Sequence, residues 1–207
     1  MRLRLPIGIG IAVPPLFFWE RRRDDLLRLE SAKSFHPNHA TTLLCLELLE
    51  ETLQHRQCDR LLDVGCGSGI LALASAFMGV KTVVGIDVSS RAIRESRINA
   101  KLNHLATKTF WVVGSTEAIR GSFHCVAANL RTDDLIIVME DLVRLTSLDG
   151  GRLILSGFHD IDWPVLEARC HALGMKSERA LSRDLSFCGI PPSGSYTWCA
   201  VRLHFDR

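Results

Sequence analysis

Between Leu61 and Asp87 the chain sets out an apolar run, three glycines at alternate positions, a second apolar run and an acid. Leu61-Leu62-Asp63-Val64 leads into Gly65-Cys66-Gly67-Ser68-Gly69, and Val83-Val84-Gly85-Ile86 closes on Asp87. That succession reads as buried strand, tight turn, helix and buried strand. It confines the chain to a doubly wound α/β sheet with a ligand seat at the strand ends. The glycines have separate tasks. Gly65 and Gly67 can take positive φ and leave no Cβ in a ligand's way. Gly69 lets the next helix start close to the strand, and Ser68 offers a hydroxyl or N–H near that start. Asp87 lies 22 residues after Gly65, where a strand-end carboxylate accepts both hydroxyls of a ribose.

The spacing also discriminates between adenosine-bearing cofactors. Dinucleotide fingerprints run G-x-G-x-x-G, and a pyrophosphate needs only amide N–H groups and a helix N-terminus. Here the run is Gly65-x-Gly67-x-Gly69, with Asp63 two residues ahead of it. S-adenosylmethionine carries no phosphate but has a sulfonium and an ammonium. An acid beside the turn suits those cations by charge pairing. The residues therefore point to a methyl donor.

The rest of the composition narrows the class. With 207 residues and 47% hydrophobic content, one α/β domain with a sizeable core is expected. The formal charge of +2 gives no field that would favour nucleic acid, and no direct nucleic-acid binding is expected. Seven cysteines, scattered and without a C-x-x-C pair, suit reduced thiols in a cytoplasmic protein. His36 and His39 lack companions for a metal site, so no metal is expected. Residues 6–13 imitate a signal peptide, but Pro14 and Pro15 interrupt them and Arg21, Arg22 and Arg23 follow. No segment is long enough to span a membrane.

Along the chain, strands are expected near 7–13 and 26–30, forming an N-terminal strand pair packed on the core (residues 1–33). The remaining domain covers 34–207. It opens with a helix near 41–54, with Leu43, Leu46, Leu49 and Leu53 on one face. Strands at 60–64, 82–87, 110–114, 124–130 and 152–158 then alternate with helices at 70–78, 91–103, 133–145 and 162–173. Alternation with near-continuous apolar strands means a parallel sheet covered on both faces. The tail differs: 175–183 and 196–205 read as consecutive strands joined by a loop rich in glycine and proline. An antiparallel C-terminal hairpin on a mostly parallel sheet is the layout of the Rossmann-like methyltransferases.

Six blocks carry a closer likeness. They are His39-Ala40-Thr41-Thr42-Leu43-Leu44-Cys45-Leu46-Glu47, the turn from Asp63 to Leu71, Gly85-Ile86-Asp87, Ala92-Ile93-x-x-Ser96-Arg97-x-Asn99-Ala100, Gly114-Ser115, and Val126-Ala127-Ala128-Asn129-Leu130. In that order they resemble the catalytic domain of the bacterial methyltransferases that modify the eleventh protein of the large ribosomal subunit. The likeness runs from about 34 to 157. It implies that Thr42, Gly65, Asp87 and Asn129 line the cofactor site, with Ser115 near the adenine. Two departures stand out. Ser34-Phe35-His36-Pro37-Asn38 replaces the family's glycine-rich Phe-Gly-Thr-Gly-Thr. Only about 30 residues precede the matched region, where the family has a separate recognition domain. Poor methylation of the isolated ribosomal protein is expected on that ground.

Transfer from a sulfonium needs alignment and exclusion of water more than a strong base. Asn129 is the candidate for orienting an acceptor amine, through its side-chain oxygen and the neighbouring carbonyl. His39 or His36 is placed to assist proton removal. The expected activity is methylation of a protein amino group. A small-molecule acceptor on the same scaffold and a non-catalytic cofactor-binding protein stay open as alternatives.

Overall fold

The computed structural model describes residues 2–4, 10–12, 26–30, 38–184 and 197–206. Three short strands come first: β1 (Arg2–Arg4), β2 (Gly10–Ala12) and β3 (Leu26–Arg28). The two strands expected in this segment are β2 and β3, and β1 adds a third. β1 pairs with β2 antiparallel, and β2 pairs with β3 parallel. The segments 13–25, 31–37 and 185–196, which hold Arg21 to Arg23, His36 and the glycine- and proline-rich loop, lie outside the described residues.

The main sheet has seven strands: β4 (Arg60–Val64), β5 (Thr82–Asp87), β6 (Thr109–Val113), β7 (Cys125–Asn129), β8 (Arg152–His159), β9 (Met175–Arg183) and β10 (Trp198–Phe205). Their order is β6-β5-β4-β7-β8-β10-β9. β4 to β8 are parallel, while β10 runs antiparallel to both β8 and β9. The chain winds outward from β4 in one direction and from β7 in the other. The crevice between those two strands is the switch point where ligands of open α/β sheets settle.

Five helices cover the sheet: α1 (Ala40–His55), α2 (Ile70–Phe77), α3 (Ser90–Leu102), α4 (Thr132–Leu145) and α5 (Trp163–Ala172). Alternation along the strands sorts the core into two layers. Leu61, Val83, Ala127 and Ile154 face α1 and α2. Leu62, Val126, Ala128 and Leu155 face α4 and α5. Burial on both faces explains why these strands read as unbroken apolar runs. Each fully buried leucine contributes roughly 1.5–3 kcal/mol over exposure.

One element departs from the sequence expectation. α1 does not bury a single stripe: Leu44, Cys45, Leu46, Leu48 and Leu49 are all buried, while Leu43 is only half-buried. The helix is wedged against β8, β10 and α2, so most of its surface meets protein. The strand–helix alternation breaks once, where the sequence placed no helix between 114 and 124. Between β6 and β7 there is only a single 3-10 turn, Thr116–Ala118, pinned by Thr116 Oγ1 donating to Asp141 of α4 at 2.7 Å.

Candidate functional site

A cavity of about 690 Å³ opens at the carboxyl ends of β4, β5 and β7, within the size range of small-molecule sites. Its floor is the glycine turn. Gly65 N–H and Cys66 N–H both donate to Ile86 O, at 2.8 and 3.1 Å, which ties the turn to the end of β5. Gly67 N–H donates to Asp87 Oδ2 at 2.9 Å, and Ser89 N–H donates to Asp87 Oδ1 at 2.8 Å. Gly65 and Gly67 have φ of +70° and +54°, in the left-handed region that side chains disfavour. A Cβ on Gly65 would also run into the Leu130 side chain.

Each carboxylate oxygen of Asp87 therefore holds one backbone donor and keeps a lone pair for another. Asp63 is 1% exposed, and its Oδ2 accepts Ala72 N–H at 3.0 Å, satisfying one of the open donors of α2. Burial, reinforced by the charge of Asp87, pushes the Asp63 carboxyl up to about 7, against the lowering effect of the Ala72 bond. An acid held that high near neutrality is stabilised as the anion by an arriving cation.

The opposite wall starts with Asn129, the last residue of β7. Its Oδ1 is buried and has no hydrogen-bond partner among the described residues. A buried amide oxygen left unpaired costs about 1–3 kcal/mol, which a ligand donor would recover. The backbone beyond it is tightly fitted. Leu130 N–H donates to Ser156 O at 3.0 Å. Gly157, at φ +97°, packs against the Leu130 main chain with no room for a Cβ.

The cavity thus gathers Asp63, Gly65, Gly67, Asp87, Ser115, Asn129 and His39 on its wall. Thr42 and Gly69 stand behind it. Thr42 is fully buried, and its neighbour Thr41 takes the wall position. Gly69 begins α2 at φ +82°, where a Cβ would meet Ser96 Oγ at 2.9 Å. His39 Nδ1 lies 2.8 Å from Thr41 Oγ1 and 3.4 Å from Thr41 N, closing the start of α1.

Sequence reasoning did not single out the aromatic end of the cavity. The Trp198 ring lies 3.8 Å from the His159 ring at 31°, and His39 meets it nearly edge-on at 5.0 Å. His159 ends β8 and Trp198 begins β10, so position at a strand end on the cavity side was the signal available. The described cysteines are unpaired thiols, and burial holds those of Cys45 and Cys125 well above the ordinary range. No group of three or more His, Cys, Asp or Glu residues placed for a metal ion occurs among the described residues. No described helix is long and apolar enough to cross a membrane.

Comparison with known proteins gives this geometry a family. A ribosomal protein L11 methyltransferase from Pelobacter propionicus is 37% identical over 160 residues, covering 73% of this chain and 52% of that protein. One from Polynucleobacter necessarius is 42% identical over 160 residues, covering 73% and 48%. The chain thus spans about half the length of the curated relatives it matches. A ribosomal protein L11 methylase from Lactobacillus delbrueckii superposes with a TM-score of 0.78 at 22% identity, over 96% of this chain and 94% of that one. Magnesium protoporphyrin IX methyltransferase from Synechocystis, solved with bound SAM, shares the fold at a TM-score of 0.55 and 16% identity, over 77% and 79%. The model of the ribosomal protein L11 methyltransferase (PrmA) family matches residues 18–184, and the chain belongs to that family.

Proposed function

We propose that this chain is an S-adenosylmethionine-dependent methyltransferase acting on a protein amino group, with the ribosomal protein its relatives are named for as the first acceptor to try. The observation that carries the reading is the unpaired, buried Asn129 Oδ1, which shares one cavity with the acids Asp63 and Asp87. The residues suit the cofactor. Asp87 has acceptor capacity left for ribose hydroxyls, Ser115 stands at the end of β6 for the adenine, and Asp63 complements positive charge. When bound, S-adenosylmethionine supplies a methyl group on a sulfonium, already activated for displacement.

The protein's own contribution is alignment. Asn129 Oδ1 accepts an N–H of the incoming amine and turns its lone pair toward the cofactor. An uncharged amine is required, and an apolar, partly enclosed wall disfavours the ammonium form. His39 is the group placed to receive the departing proton.

The test uses the full chain, labelled S-adenosylmethionine and the purified ribosomal protein, followed by intact mass. Mass increments of one methyl on the protein are expected, at the low yield anticipated for the isolated ribosomal protein. Calorimetry that detected neither S-adenosylmethionine nor its demethylated product would overturn the cofactor assignment. Label appearing only in small molecules from an extract would overturn the acceptor class.

A further inference from the structure

The exposed face of α3 carries charge of one sign. Its inner face is a regular stripe in which Ala92, Ile93, Ser96, Asn99 and Ala100 are buried. The outer face presents Arg91, Arg94, Arg97 and Lys101, with Ile98 and Leu102 among them. The one acid of the helix, Glu95, is 6% exposed. Four cations against one acid give α3 a formal charge of +3 in a chain whose total is +2, so the rest of the chain sums to −1. A small total thus hides a segregated charge. Among the described residues none of the four cations forms an ion pair. Arg97 Nη2 donates to Trp111 O of the edge strand β6 at 3.2 Å, and its other donors stay open.

This arrangement works against the helix itself. Arg91 and Arg94, Arg94 and Arg97, and Arg97 and Lys101 are three or four residues apart, so like charges meet along one face and destabilise it. The first turn holds Arg91 and no acid, although the positive end of the helix dipole favours carboxylates there. A helix that served only to cover its sheet would need none of these cations. An anion outside the chain would relieve all of them. The stripe also begins at the cavity: Ser89 and Ala92 line it, and from Arg91 to Lys101 the helix runs on for about 15 Å.

The make-up of the face selects among anions. Protein partners are gripped through aromatic and apolar anchors. This face has no aromatic residue, and its two apolar side chains, Ile98 and Leu102, are 39% and 40% exposed between cations. Three of the four cations are arginines, whose planar fork matches phosphate oxygens. A row of cations on a rigid helix fits a row of phosphates, in contacts that fix position without reading bases.

We infer that the outer face of α3 is a docking surface for the phosphate backbone of an RNA strand, independent of base sequence. The strand lies along the helix with one end beside the cavity. It thereby brings a protein acceptor carried on that RNA within reach of the cofactor. This last step rests on the proposed function; the RNA contact does not.

The experiment titrates a labelled single-stranded RNA of mixed sequence with the full chain, followed by fluorescence anisotropy at several salt concentrations. Micromolar binding is expected at low salt, with a slope of log affinity against log salt of about −2 to −3, as three or four phosphate contacts require. The triple variant Arg91→Gln, Arg94→Gln, Lys101→Gln should bind at least tenfold more weakly and flatten the slope by about 2. It should melt no lower than the wild type, because the substitutions relieve repulsion within the helix. Its dissociation constant for S-adenosylhomocysteine should not change. Arg94→Gln alone should weaken RNA binding about threefold. Arg169→Gln removes the same charge from an exposed position on α5, which covers the other face of the sheet, and should leave RNA binding as it is. No RNA binding by the wild type at low salt would overturn the inference, and so would equal losses in Arg94→Gln and Arg169→Gln. Displacement of the RNA by polyglutamate at equal charge concentration would also overturn it, and would make the face a site for acidic proteins. If the wild type binds the RNA as expected but not the nucleoside, the reading of the cavity falls and the docking surface stands.

Discussion

The two sides of the cavity are built on different plans. The turn side is made of backbone groups from residues near in sequence, and those groups already have partners. Gly65, Cys66 and Gly67 donate to β5, and the carbonyls of Gly67 and Ser68 are held by α3. The facing side is made of side chains from three separate elements: His39 before α1, Asn129 on β7 and Trp198 on β10, whose ring is backed by His159. There a buried amide oxygen stands unpaired among the described residues. A preorganised cradle of donors is suited to holding a ligand unchanged through a reaction. An unsatisfied group aimed into a cavity is suited to a partner that arrives only with substrate. The division predicts that damage on the turn side shows in binding and damage on the facing side shows in turnover.

The sharpest way to break that division is Asn129→Ala. Turnover on the protein acceptor should fall about 10²–10³-fold, the scale seen when a positioned polar contact to a reacting group is lost. The dissociation constant of S-adenosylmethionine should move far less. Single-turnover kinetics beside calorimetry separates the two; equal losses in both would place Asn129 on the binding side. On the turn side, Asp87→Ala removes the proposed acceptor for ribose and releases Gly67 and Ser89 N–H together. Charge-assisted bonds are each worth about 1.5–3 kcal/mol, so affinity should drop roughly 10- to 100-fold. A folded Asp87→Ala protein with wild-type affinity would mean that the ligand lies elsewhere.

The same division explains what could be read from the sequence. The turn side is local: Asp63, Gly65, Gly67 and Asp87 fall within one strand–turn–helix–strand unit, so their spacing alone announces them. The two-layer core was equally legible, because adjacent leucines such as Leu61 and Leu62 must face opposite layers. The aromatic end was not. His39 lies more than a hundred residues before His159 and Trp198, and those two meet only because β10 returns antiparallel beside β8. Nor does any spacing reveal that Thr41, rather than Thr42, takes the cavity wall, since one residue's rotation around α1 decides it. The missing helix between β6 and β7 follows from length: the eleven residues from 114 to 124 carry a single 3-10 turn and no apolar periodicity.

A third test strains the facing side through its scaffold. Gly157→Ala puts a Cβ against the Leu130 main chain at a backbone angle of φ +97°. The substitution should cost about 1–3 kcal/mol of stability, and it should shift the Asn129–Leu130 peptide relative to the cofactor. Reduced turnover with near-normal cofactor affinity in the folded fraction is the expected pattern. If affinity falls as far as turnover does, the two sides are mechanically one.

The smallest effect expected is a pH dependence, and it sharpens the turn side alone. Asp63 is raised to about 7 by burial, with the Asp87 charge adding to it. Its folded value lies above its unfolded one, so between about pH 4 and 7 the folded protein binds more protons than the unfolded chain. Stability of the ligand-free protein should therefore decline as pH rises through that window. A bound cation favours the carboxylate and must displace the proton that Asp63 carries at lower pH. Affinity for S-adenosylmethionine should accordingly rise with pH and level off above about 7, gaining at most about tenfold between pH 6 and 8. Asp63→Asn should flatten the curve while binding more weakly at the upper end. That control also separates Asp63 from His39, which lies on the facing wall. A wild-type affinity constant across pH 6 to 8 would show that Asp63 does not face the cofactor's positive charge. Its carboxylate would then serve the fold alone, as the acceptor of Ala72 N–H at the start of α2.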